Sequence, residues 1–272
     1  MADSSLNSGR VPDVRKLFPE AVKNKEFKVF YQPKVFLKDY RLCGAEALCR
    51  WVHDGRIISP GNFIPALEQG NEICELDFYM LDQVCQDICA WLADGRRMVR
   101  VSINMSRRHM QNEKLINDIF DVVGRYDFPR KYIEIELTET TTDVDFKDLS
   151  RVVNALTEQG IHTSVDDFGM GYSSLNLIRD LPWNTLKIDR SFLPEDGDNK
   201  PNKAVILQHL IAMAQSMGIE CLAEGVETVE QISLLKDNQC YIAQGFYFDM
   251  ALPHDEFEKR LIAAGQPEES LS

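Results

Sequence analysis

Six segments of this chain have the composition of β-strands, and each carries a polar or charged residue at or near its downstream end. They are Glu46 in GAEALCRW, Asn104 in VRVSINMS, Glu136 in YIEIELTE, Asp166 and Asp167 in HTSVDDFG, Lys187 in TLKIDRSF and Glu224 in IECLAEGVE. A buried carboxylate without a partner is costly. Its recurrence at one position of a repeating unit therefore requires strand tips that converge on a common pocket. Carboxylates joined there by an amide and an ammonium suit a divalent metal held against a phosphate. A fold that gathers strand ends at one rim is the constraint.

The order of elements supplies such a fold. Residues 27–36 and 41–51 read as strands joined by Leu37-Lys38-Asp39-Tyr40. So short a link allows a hairpin and forbids a parallel crossover, so this pair is antiparallel. Helix and strand then alternate: helix 72–93 and strand 99–105, helix 113–125 and strand 132–137, helix 146–158 and strand 162–166. A short helix from 173 precedes strand 185–188, helix 203–217 precedes strand 220–223, and helix 229–237 precedes strand 241–246. Gly160 and Gly218 stand where a helix C-terminus takes a left-handed residue. The pattern predicts an α/β fold, a modified TIM (βα)8 barrel with one antiparallel strand. An open doubly wound sheet is the alternative, but no G-x-G-x-x-G or Walker sequence is present. The expected division is a leader and short helix over 1–26, the barrel over 27–260 and a tail over 261–272.

Side-chain alternation says where the polar groups point. In 99–105 the apolar set is Val99, Val101, Ile103 and Met105, which leaves Arg100, Ser102 and Asn104 on the other face. In 132–137, Ile133, Ile135 and Leu137 oppose Glu134 and Glu136, and in 185–188 Lys187 opposes Leu186 and Ile188. Helices cover the outside of such a barrel, so the polar sets face the lumen, the last member of each at the C-terminal mouth. Glu134, one layer deeper, reads equally as an internal salt bridge. Adjacent carboxylates repel unless a cation joins them, so Asp166–Asp167 argues for metal. An all-oxygen set with no recurring His or Cys favours magnesium or manganese over zinc.

The net charge of −13 excludes a broad surface for DNA or RNA polymers or for anionic membranes. It leaves room for a small phosphate substrate whose charge metal ions offset. The seven cysteines contain no C-x-x-C pair and read as reduced, structural thiols of a cytoplasmic protein. Neither a signal peptide nor a membrane-inserting stretch is visible. The five histidines are scattered and read as surface or core residues, and Trp51 reads as core packing.

With these residues in place, the chain resembles the EAL-domain phosphodiesterases that linearise cyclic diguanylate. The signature is Glu46-Ala47-Leu48. In order with it stand Tyr31-Gln32-Pro33, N-x-S at 104–106, E-x-T-E at 136–139, DDFG-x-G-Y-S-S-L at 166–175, K-I-D at 187–189, A-E-G-V-E at 223–227 and Q-G at 244–245. The resemblance implies that Glu46, Asn104, Glu136, Asp166 and Asp167 are metal-site positions, two Mg2+ or Mn2+ ions per site. It makes Lys187 a catalytic contact of the nucleophilic water and Glu224 a catalytic carboxylate, either general base or ligand of the second metal. Gln32, Leu48, Arg50 and Gln244 line the substrate groove, Glu227 anchors the DDFG loop, and Glu139 supports it nearby.

The resemblance further implies hydrolysis of cyclic di-GMP to linear pGpG without a covalent intermediate, in a homodimer formed through the face of the DDFG loop. Calcium, with longer and looser coordination, is expected to inhibit. Gly169 and Gly171 read as loop hinges or as a tight βα turn, and Arg50 as a phosphate clamp, the alternative for Arg50 being a pair with a helix acid. Met170 and Cys49 depart from the usual family residues, and neither removes a polar group. Two other functions fit parts of the pattern: a catalytically silent cyclic di-GMP receptor, and a metal-dependent lyase or isomerase with Lys187 as base. The first ordinarily lacks a metal position; the second leaves the paired aspartates unexplained.

Overall fold

A computed structural model of the chain describes residues 12–110, 112–138, 143–168, 175–194 and 201–265. The chain runs α1 (Val14–Lys23), β1 (Phe27–Phe36), β2 (Leu42–His53), β3 (Arg56–Ile58), α2 (Ile64–Leu67), α3 (Glu72–Ala93) and β4 (Arg100–Met105). It continues through α4 (Leu115–Val123), β5 (Ile133–Thr138), α5 (Asp143–Glu158), β6 (His162–Phe168), α6 (Leu175–Asp180) and β7 (Thr185–Ile188). The last elements are α7 (Pro201–Ser216), β8 (Glu220–Ala223), α8 (Val229–Asp237), β9 (Ile242–Ala243), β10 (Leu252–Pro253) and α9 (His254–Gly265).

Eight strands close a barrel in the order β1, β2, β4, β5, β6, β7, β8, β9, with β9 pairing back to β1. Strands β2 and β4–β9 are parallel, and β1 is antiparallel to both its neighbours, as so short a link to β2 requires. Two further short strands pair outside this ring: β3 forms a hairpin with β2, and β10 adds to β1. Closure removes the exposed edges an open sheet would leave.

Alternation holds along the strands. In β1, Tyr31 points outward beneath the helices, its ring 5.1 Å from Trp91 and 4.9 Å from Phe257. Trp51 is fully buried among Phe27, Phe63 and His53, and its Nε1 donates to Glu26 at 2.9 Å, so it is a core residue. Gly160 and Gly218, both at φ +74°, close α5 and α7. After each, the next amide reaches back five residues: Ile161 to the Leu156 carbonyl at 3.0 Å and Ile219 to that of Ala214 at 2.9 Å.

At both ends of the barrel a helix packs into its core. Helix α1 buries Val14, Phe18 and Ala21 in the same core as β1 and β2, so residues before 27 are partly built into the barrel. The boundary at 260 falls inside α9, whose Phe257 and Leu261 are fully buried. The apolar spacing of 257 and 261, one helical turn, carries the helix past the expected end. Among the described residues no helix is long and apolar enough to cross a membrane.

Candidate active site at the barrel mouth

Register brings the polar strand ends together. Gln32 pairs with Glu46 across β1–β2, and Asn104 with Glu136 across β4–β5. The β6–β7 register shifts between Val165 and Phe168, the stretch that carries Asp166; such irregularities are common beside active sites.

The converging groups surround the ammonium of Lys187, which is 1% exposed. Its Nζ lies 2.5 Å from Glu136 Oε2, 2.9 Å from Asp166 Oδ1, 2.9 Å from Glu224 Oε1 and 3.8 Å from Glu46 Oε1. Around this hub the Asn104 amide donates to Glu46 Oε1 at 2.8 Å. The Gln244 amide donates to Glu46 Oε2 at 2.5 Å and to Glu224 Oε1 at 3.3 Å. Strands β2, β5 and β6 and the residue just past β8 thus contribute the four carboxylates, β7 the lysine and β4 the amide of Asn104.

The electrostatics of the cluster are uneven. Burial works to raise Glu136, but the charges of Lys187 and Lys34 prevail and hold it down at about 2. Burial and then the repulsion of Glu46, Asp166 and Glu136 push Glu224 up to about 8 against the pull of Lys187. Glu46 is raised by burial and by Glu136. Burial would lower Lys187, but the carboxylates around it drive it well above the usual lysine range. Four carboxylates therefore share Lys187 and the deeper Lys34, an excess of negative charge that a further cation would relieve.

Among the described residues no three carboxylate, His or Cys side chains form a metal-binding group of their own; the cation they enclose is Lys187. The donor set nevertheless fits a hard divalent ion. Every donor is oxygen, and the buried Gln244 Oε1 has no hydrogen-bond partner in the cluster.

Other expected site residues stand as follows. Gln32 donates weakly to the Asp249 carbonyl at 3.4 Å. Leu48 and Asn104 line an apolar cavity of about 220 Å3 between the barrel wall and α2–α3, together with Pro60, Ile64 and Met80. Arg50 donates to the Cys49 carbonyl at 2.9 Å and lies 5.7 Å over the Phe30 ring, and it pairs with no helix acid among the described residues. Gln244, expected in the groove, is 4% exposed and belongs to the carboxylate cluster. Glu227 lies 3.5 Å from Arg190, with both side chains substantially exposed. The loop Glu227 was expected to anchor, Gly169, Met170 and Gly171 included, lies outside the described residues, as do Glu139 and the side chain of Asp167.

Sequence reasoning passed over two features. Lys34 is buried below Gln32, and its signal was the parity it shares with Gln32 on β1. Asp77, on α3, accepts from the Ser106 amide at 2.8 Å and from His109 Nε2 at 3.0 Å, which ties the segment after Asn104 to the helix layer. Glu134, left open between two roles, forms the internal salt bridge: it lies 3.3 Å from Arg100 and 3.6 Å from Lys34. All seven cysteines are free thiols.

A closed parallel barrel with one reversed strand and an acidic, cation-holding mouth is an α/β barrel of the kind whose active sites lie at the strand C-termini. The chain belongs to the EAL domain family, whose model matches residues 15–251. It is 37% identical over 244 residues to the signaling protein YkoW of Bacillus subtilis, covering 89% of this chain and 30% of that protein. It is 32% identical over 245 residues to the cyclic di-GMP phosphodiesterase NbdA of Pseudomonas aeruginosa, covering 90% of this chain and 31% of that protein. The chain thus spans under a third of the length of these two relatives. The PaMucR phosphodiesterase, solved in complex with c-di-GMP, superposes with a TM-score of 0.84 at 29% identity, covering 90% of this chain and all of that one.

Proposed function

We propose that this chain hydrolyses cyclic di-GMP to linear pGpG at the mouth of its barrel. The observation that carries the reading is the convergence of Glu46, Glu136, Asp166 and Glu224 on Lys187, with Asn104 bonded to Glu46. The phosphodiesterase NbdA and the c-di-GMP complex of PaMucR support the choice of substrate.

Glu46, Asn104, Glu136, Asp166 and Asp167 would hold two Mg2+ or Mn2+ ions. Such ions polarise a phosphoryl oxygen and make bound water a nucleophile near neutral pH. Lys187, with its ammonium held charged, stabilises negative charge gathering on the phosphoryl oxygens. Glu224, at the rim and poised near neutrality, is the carboxylate suited to accept the water proton. Arg50 offers a bidentate cationic face to the second phosphate, and the cavity beside Leu48 offers an apolar slot for one base. A homodimer through the face of the DDFG segment and a cytoplasmic setting belong to the same reading.

The experiment is incubation of the purified chain with cyclic di-GMP and Mn2+, with pGpG followed by chromatography. Appearance of pGpG, and its loss on adding EDTA, supports the reading; intact substrate at high enzyme concentration refutes it.

A further inference from the structure

Lys34 is a second ammonium inside the barrel, and the proposed chemistry leaves it without a role. It stands on β1, which runs against the other strands, so Lys34 lies deeper than Gln32 and not nearer the mouth. Its Nζ donates to Ser102 Oγ at 2.6 Å and to Glu136 Oε1 at 3.1 Å, and lies 3.6 Å from Glu134. Lys187 takes the other oxygen of Glu136, Oε2, at 2.5 Å. The two oxygens of one carboxylate are thus assigned to two lysines, one below it and one at the mouth. The stem of Lys34 fits because the facing residue is Gly44: a Cβ there would stand 3.3 Å from Lys34 Cδ and 3.3 Å from the Arg100 carbonyl oxygen.

The geometry points to Lys34 as a positioning residue for Glu136, in an inference that rests on the metal-dependent reading above. By holding Oε1 from beneath, Lys34 fixes the rotation of the carboxylate so that Oε2 alone faces the mouth. Its charge also separates Glu136 from Glu134, two residues earlier on the same face of β5, which would otherwise stack like charge on like charge. Ser102 completes the arrangement: its hydroxyl donates to the Ala45 carbonyl at 3.3 Å and turns a lone pair to Lys34. Groups that orient a metal ligand from behind typically change metal affinity 10–100-fold when removed.

The test is Mn2+ binding to the full chain, read from the EPR signal of free Mn2+, together with turnover across a Mn2+ titration. Lys34→Met is expected to weaken Mn2+ binding about tenfold and to raise the Mn2+ concentration for half-maximal rate equally. Its kcat at saturating Mn2+ is expected to stay within about threefold of the parent. Ser102→Ala removes the 2.6 Å acceptor and keeps the ammonium; it is expected to weaken Mn2+ about threefold. If Lys34→Met does not fold, Ser102→Ala decides the matter alone. Mn2+ binding unchanged or tightened in the folded variants overturns the positioning role and leaves the proposed function standing, as does a loss confined to kcat. A parent chain that binds no Mn2+ overturns both.

Discussion

The Lys187 ammonium and the outer oxygen of Glu136 stand 2.5 Å apart in a barrel interior that leaves each no more than 1% exposed. Neither ion has water to fall back on, so each depends on the other, Lys187 also on Asp166, Glu224 and Glu46, and Glu136 also on Lys34. Removing one member of such a buried set leaves uncompensated charge, at about 3–5 kcal/mol. Lys187→Met is therefore expected to lower stability by roughly that amount in EDTA. Mn2+ should restore part of it by supplying the missing positive charge, while turnover stays lost. Thermal unfolding with and without Mn2+ checks this; a variant as stable as the parent in EDTA would show that the carboxylates are not held charged.

Glu46 receives amide donors from both sides, Asn104 at 2.8 Å and Gln244 at 2.5 Å. Glu46→Gln keeps the shape and removes the charge, so the barrel should fold while cyclic di-GMP hydrolysis drops about a thousandfold or more, the scale seen when groups acting as one unit are broken. Asp166→Asn is expected to do the same. Chromatographic detection of pGpG at matched circular dichroism measures both, and near-parental rates in either would remove it from the site.

His109 and Asp77 give a pH dependence of stability at the segment that follows Asn104. Burial would lower His109, but its hydrogen bond to Asp77 prevails and raises it to about 9. A histidine pKa raised by folding adds stability that is fully present below the unfolded value of about 6.5 and is lost as pH climbs through about 9. The parent should lose on the order of 2–3 kcal/mol between pH 6 and 9.5 through this pair. His109→Gln should flatten that part of the curve. Urea unfolding midpoints at the two pH values decide it, and equal slopes in parent and variant would contradict it.

Trp51 separates packing from recognition. It is fully buried against Phe27 and Phe63, with its indole bonded to Glu26. Trp51→Ala should cost about 3–5 kcal/mol of stability by leaving a cavity, while Glu26 keeps its partner His53 at 2.7 Å. The substrate KM of the folded fraction should be unchanged. A large KM increase at parental stability would place the indole against the ligand instead.

Much of the site was legible because strands alternate. The parity of Asn104, Glu136 and Lys187 on their strands was enough to place them in the lumen, and the glycines at 160 and 218 were enough to end α5 and α7. On β1 the same parity joins Lys34 to Gln32, and reversal of the strand sets Lys34 toward the floor of the barrel. Parity gave no partners. Arg100 and Lys34 claimed Glu134 as a structural ion pair through contacts between strands far apart in sequence. Helix α9 runs past residue 260 with Phe257 and Leu261, one turn apart, fully buried.

By itself the amino-acid order determined an alternating α/β chain with a reversed first strand and oxygen donors at one end of its strands, because these follow from local spacing and short links. Tertiary structure alone decided that the donors meet around Lys187, that Gln244 joins them, and that Lys34 backs Glu136 from below. Those contacts depend on closure of the ring and on the stagger between neighbouring strands. Both are set by packing among residues as distant as Glu46 and Gln244, which no local pattern links.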